Sequence, residues 1–155
     1  MRGMRFRPFL LAVAAAVCAA CGSDTPLQSG NDPALEPFVG DWEATEVILV
    51  NDANPSDSID VLGEGGTFTI NVQPSGTYTA TLAYPSLPPG VEIGKLSVFG
   101  ATVILQPTTP SGPSVSSTFA FDGPDKLTLD GPIDFDFNGD ATPEPGQAHF
   151  ELERQ

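Results

Sequence analysis

The chain has 155 residues and a formal net charge of −14, with 20 acidic residues against six Lys and Arg. That length admits one small domain. So large an acid excess repels phosphate backbones and anionic lipid, which excludes nucleic acid as a partner and keeps the domain off a membrane surface.

Three of the six cations, Arg2, Arg5 and Arg7, precede an apolar run over residues 9–17 (FLLAVAAAV). The run is too short to cross a bilayer, which takes roughly 20 apolar residues. A basic start, a short apolar core and small residues before a break are the grammar of a cleaved signal peptide. Ala19-Ala20-Cys21 resembles the lipobox of bacterial lipoproteins. The resemblance implies removal of residues 1–20, lipid attachment at Cys21 and anchorage to the bacterial cell envelope. Several acyl chains on one cysteine hold a protein to a membrane firmly. Gly22-Ser23 follows, with no Asp at the second mature position, and this leans the expected location towards the outer membrane. The alternative is ordinary secretion, with cleavage near Ala20 and Cys21 left a plain thiol. On the lipoprotein reading Cys18 departs and Cys21 is modified, so no thiol remains for a disulfide, a zinc site or a nucleophile. The remaining chain keeps only Lys95, Lys126 and Arg154 as cations.

Residues 21–37 are rich in Gly, Pro, Ser and Asp and read as a flexible tether. From Phe38 to Gln155 short β-type runs alternate with turn residues. The expected strands cover 41–50, 66–72, 76–82, 92–98, 101–106, 116–121, 126–129, 133–137 and 148–153. Residues 66–72 set Phe68, Ile70 and Val72 against Thr67, Thr69 and Asn71, and 76–82 set Tyr78, Ala80 and Leu82 against three threonines. Period two with one apolar face is the mark of a half-buried strand, and Thr, Val, Ile and Phe suit a pleated surface. Gln73-Pro74-Ser75 reads as the hairpin turn between these two runs. No stretch after the signal segment carries a convincing amphipathic helix. About eight or nine short strands in meander order would leave two open edges unless they close. An all-β, up-and-down antiparallel barrel is therefore expected for residues 38–155, with a β-sandwich as the second architecture.

Gly40-Asp41-Trp42 at the first strand resembles the Gly-x-Trp start of the lipocalin-like, calycin-type barrels, here in a small lipoprotein form. The resemblance implies that Trp42 packs at a closed end and that an Arg of the last strand lies across it. Arg154 stands on the same face of the last strand as Ala148, Phe150 and Leu152, so Trp42 and Arg154 form a structural pair on this reading. It also implies that the loop of residues 51–66 lids the mouth, with Val61-Leu62 as its apolar contact.

Phe68, Tyr78, Phe119, Phe121, Phe135 and Phe150 are the candidate lumen residues, with Phe99 also considered, and all of them suit an ordinary core equally. Asp134, Asp136, Asn138 and Asp140 resemble a calcium loop of the Asp-x-Asp-x-Asn-Gly type, with Glu144 able to close the shell; the simpler reading is a strand end followed by an Asn-Gly turn. His149 is the single histidine. It alternates with core positions and so faces outward, and no Gly-x-Ser-x-Gly elbow accompanies it, so no catalytic residues and no enzyme activity are expected. Glu43 and Glu46 do not stand out from the general acid excess. The run 84–90 (YPSLPPG) reads as a stiff connection at a rim. No cofactor beyond the calcium candidate is implied. The expected function is binding of a small apolar ligand by a membrane-anchored barrel. The alternative is a structural or protein-interaction lipoprotein with a filled barrel, its protein partner unassigned.

Overall fold

A computed structural model describes residues 32–85, 88–140 and 142–155. The signal segment, Cys21 and the tether up to residue 31 lie outside the described residues. Nine strands follow one 3-10 turn at Glu36–Phe38: β1 (Gly40–Asn51), β2 (Ser58–Asp60), β3 (Thr67–Val72), β4 (Thr77–Ala83), β5 (Gly90–Phe99), β6 (Thr102–Thr109), β7 (Val115–Phe121), β8 (Lys126–Phe135) and β9 (Glu144–Arg154). Every pairing is antiparallel, in the order β2-β1-β3-β4-β5-β6-β7-β8-β9, and β1 also pairs with β9 along its length. The result is a closed eight-stranded barrel with β2 as an additional strand. Closure leaves no long open edge.

The alternation in the sequence maps directly onto the wall. Phe68, Ile70 and Val72 of β3 stand opposite Leu82, Ala80 and Tyr78 of β4, so the apolar faces of the two strands share one side. Leu96 and Val98 of β5 meet Leu105 and Val103 of β6 in the same way. The core is sealed at the end where the chain enters. Phe38 is 2% exposed, and its ring meets Phe119 and Phe121 edge-on at centroid distances of 4.9 and 5.0 Å. Burial of one such side chain contributes about 1.5–3 kcal/mol.

Beyond small shifts of strand ends, three features differ from the sequence reading. Leu35 is buried and hydrogen bonds through its backbone to Asp32 and Phe38, so the packed unit starts before Phe38 and takes in the last residues assigned to the tether. The runs 126–129 and 133–137 belong largely to one strand, β8, continuous through Gly131-Pro132. Beyond Asp130 only β9 pairs with β8, so Pro132 sits on a segment with one unpaired edge, where a proline is tolerated. The third difference is in the loop of residues 51–66, which is not simply a lid. β1 bulges between Ala44 and Glu46 and leaves β3 after Glu43. The backbone groups so exposed on β1 need partners. β2 supplies them at Ile48–Val50, and the Val61 amide donates to the Val47 carbonyl at 3.0 Å. Val61 is fully buried in this seam.

Candidate functional site

The β3–β4, β5–β6 and β7–β8 turns gather with the 3-10 turn at the closed end. The longer connections β4–β5, β6–β7 and β8–β9 gather at the other end, the mouth. There the strands splay: β6 and β7 pair only over Thr102–Leu105 with Val115–Thr118, and β7 leaves β8 after Asp130. A cavity of about 480 Å³ lies within the mouth half of the barrel. Its inner wall is largely apolar, with Phe68, Ile70, Leu82, Leu105, Leu129 and Phe150 among its residues. Prolines 107, 110, 113 and 132 stiffen the rim.

Of the expected lumen residues, Phe68, Tyr78 and Phe150 line this space, and the Phe68 and Phe150 rings contact each other at 4.7 Å. Phe119 and Phe121 do not line it. They are the floor packing around Phe38, with Phe121 also 6.2 Å from the Trp42 ring. Phe135 is held at the rim between Tyr84 and Phe137, and the Tyr84 hydroxyl donates to Glu64. Phe99 is 67% exposed, because the inward positions of β5 are Val98 and Leu96. None of residues 52–66 lines the cavity.

One polar pair stands inside this apolar wall. Tyr78 is fully buried and donates its hydroxyl to Glu92 Oε1 at 2.6 Å. Burial first, then the bond and the negative charge of Glu92, push the Tyr78 phenol far above its ordinary range. Gly94 is directly opposite Tyr78 in the ladder. A Cβ there would lie 2.6 Å from the Tyr78 hydroxyl oxygen, so the absence of a side chain gives the phenol its seat. Glu92 was not picked out from the sequence, although the signal is present: counting back in twos from Val98 through Leu96 and Gly94 places Glu92 inward.

Trp42 and Arg154 are opposite each other on β1 and β9. The guanidinium carbon sits 4.2 Å from the centre of the indole. Arg154 also donates to three backbone carbonyls, those of Pro37 (2.9 Å), Pro124 (3.1 Å) and Val39. The indole N–H donates to the Phe38 carbonyl at 2.8 Å. Gly40 has φ +135°, and a Cβ there would stand 2.7 Å from Arg154 Nη1. Glycine therefore serves both the backbone conformation and the close approach of the guanidinium.

The acidic loop after β8 draws together a different set from the four residues expected. Asp136, Asp140 and Glu144 bring carboxylate oxygens within 4.8 Å of one another. Asp134 instead stands at the rim of the cavity. Asn138 has its amide engaged inside the loop, donating to Glu144 at 2.5 Å and accepting from the Asp140 amide at 2.8 Å. The carboxylates also accept backbone amides: Glu144 from Phe137 at 2.9 Å, and Asp136 from Gly139 at 2.6 Å. His149 is on the outer face, its Nδ1 2.6 Å from Asp130. The hydrogen bond to Asp130 raises its pKa above the ordinary 6.5, partly offset by burial.

No family model matches the sequence, and no curated protein matches it. Among solved structures the chain is similar to a redesigned β-barrel, at 16% identity and a TM-score of 0.50, over 82% of this chain and 99% of that one. It is also similar to the structure of mFAP2b bound to DFHBI, at 18% identity and a TM-score of 0.49, over 79% and 97% of the two chains. The first likeness is one of fold. An antiparallel barrel of eight strands fits a calycin-type architecture.

Proposed function

We propose that this protein is a lipid-anchored lipoprotein of the bacterial cell envelope, on the outer membrane, whose barrel binds a small, largely apolar molecule. The observation that carries the binding reading is the cavity of about 480 Å³ with its apolar wall. That volume lies in the range of small-molecule sites, which are concave, mostly apolar and furnished with few polar groups. A barrel of eight strands holds one small ligand at most. The proposed role is binding: His149 is outside the barrel, and the polar groups that meet the apolar wall are a tyrosine–glutamate pair. The anchor rests on Arg2 to Cys21, and its lipid and the acid excess together keep the barrel tethered near the membrane but off its surface.

Two experiments test the two halves. A neutral apolar fluorescent probe should bind saturably to the full chain, and Ala80→Phe, which fills the lumen from β4, should abolish the binding. A folded protein that takes up no such probe refutes the ligand reading. Metabolic labelling with a fatty-acid analogue should tag the protein and sediment it with membranes, and Cys21→Ser should remove both the tag and the sedimentation.

A further inference from the structure

The charged groups of the barrel are sorted along its axis. Among the described residues the three Lys and Arg are Lys95, Lys126 and Arg154, and all lie towards the closed end. Lys95 donates to Thr77, the first residue of β4, Lys126 is the first residue of β8, and Arg154 closes β9. The cavity at the opposite end is lined by two carboxylates, Glu92 on its wall and Asp134 at its rim, and by no cation. Glu92 spends one oxygen on the Tyr78 hydroxyl, and its other oxygen has no hydrogen-bond partner among the described residues. The Asp134 carboxylate has no ion-pair or hydrogen-bond partner among them. Asp136, Asp140 and Glu144 add further negative charge in the adjoining loop.

From this arrangement we infer that the lumen takes a cationic amphiphile, an apolar molecule bearing a protonated amine or quaternary ammonium, and rejects fatty-acid carboxylates. The inference rests on the ligand-binding reading above and names the ligand class for the same cavity. The physical reason is local. A carboxylate drawn into a low-dielectric space already holding Glu92 meets repulsion with no cation to offset it, whereas an ammonium meets an acceptor with a spare lone pair. The field outside acts in the same sense, because an acidic mouth raises the local concentration of cations and the rate at which they enter.

The test uses the full chain carrying Cys21→Ser, purified after export, and three probes of equal chain length at pH 7 and sub-micellar concentration: dodecylamine, dodecanol and dodecanoate. Each is measured by displacement of a neutral fluorescent probe. Dodecylamine should bind at least about tenfold more tightly than dodecanol, and dodecanoate more weakly than either. Glu92→Gln keeps an oxygen for Tyr78 to donate to, so the fold is preserved. It should cut the amine-over-alcohol preference about tenfold. If dodecanol binds and the amine gains nothing, or the carboxylate binds best, the selectivity inference is overturned while the ligand reading stands. Failure of the folded protein to bind the neutral probe or any of the three overturns the ligand reading. Amine binding that survives Ala80→Phe would belong to the acidic outer surface and would also overturn the inference.

Discussion

Arg154→Ala should unlatch the closed end of the barrel, and the loss can be worked from the contacts. The guanidinium over Trp42 contributes about 1 kcal/mol. Hydrogen bonds to the Pro37, Val39 and Pro124 carbonyls involve an ionised donor, but the side chain is a quarter exposed and water can replace it, so each contributes about 0.5–1 kcal/mol. The 3.6 Å ion pair with exposed Asp125 adds almost nothing. The sum is about 3 kcal/mol, which for a domain of this size lowers Tm by roughly 12 °C. Urea unfolding followed by Trp42 fluorescence measures it, and near-ultraviolet circular dichroism reports whether the indole keeps its fixed surroundings. Arg154→Lys keeps a charge near the ring but cannot span three carbonyls with a tetrahedral ammonium, so about 2 kcal/mol should still be lost. A loss below about 1 kcal/mol for the alanine variant, or a lysine variant as stable as the parent, would refute the reasoning.

Gly40→Ala forces a side chain into a positive-φ position and into Arg154 Nη1, and should cost about 1–3 kcal/mol in the same unfolding assay. His149 has a raised folded pKa, so its contribution is complete below 6.5 and is lost as pH rises through the folded value; unfolding midpoints should decline slightly over that window, and Asp130→Asn should flatten the decline and lower the imidazole titration seen by NMR. Tyr78 has a folded pKa raised from 10.0, so its contribution holds below 10 and is lost as pH climbs beyond it. Its phenolate absorbance should appear only with alkaline unfolding, and Glu92→Gln should bring that appearance to lower pH.

Much of the wall was legible because alternation is a local property. The threonine-rich outer faces of β3 and β4 and the Phe, Ile and Leu inner faces declare themselves within a few residues, and the turn residues between them set antiparallel neighbours. The strand over residues 126–135 was harder, because Gly131-Pro132 carries the signature of a break. Whether such a pair ends a strand depends on which edges are paired, and that is decided by where β7 stops. The strand inside the loop of residues 51–66 was hidden for a similar reason: short β2 has little strand character of its own and forms because β1 turns away from β3 and leaves backbone groups to be satisfied.

The site divides the same way. The sequence by itself determined the inward faces of β3, β4 and β9, the acid excess and the small number of cations, since these depend only on residue type and period. Tertiary structure alone decided which aromatic rings enclose space and which fill it. Phe119 and Phe121 share the pattern of Phe68 and Phe150, yet Phe38 arrives from outside the barrel to pack against the first pair, while the splayed strands leave the second pair facing a cavity. The register of the β4–β5 ladder sets Glu92 beside Tyr78, and the closed sheet gathers Lys95, Lys126 and Arg154 towards one end. The position of a charge along the barrel axis depends on how far each strand runs before it turns, and that is a property of the closed sheet as a whole.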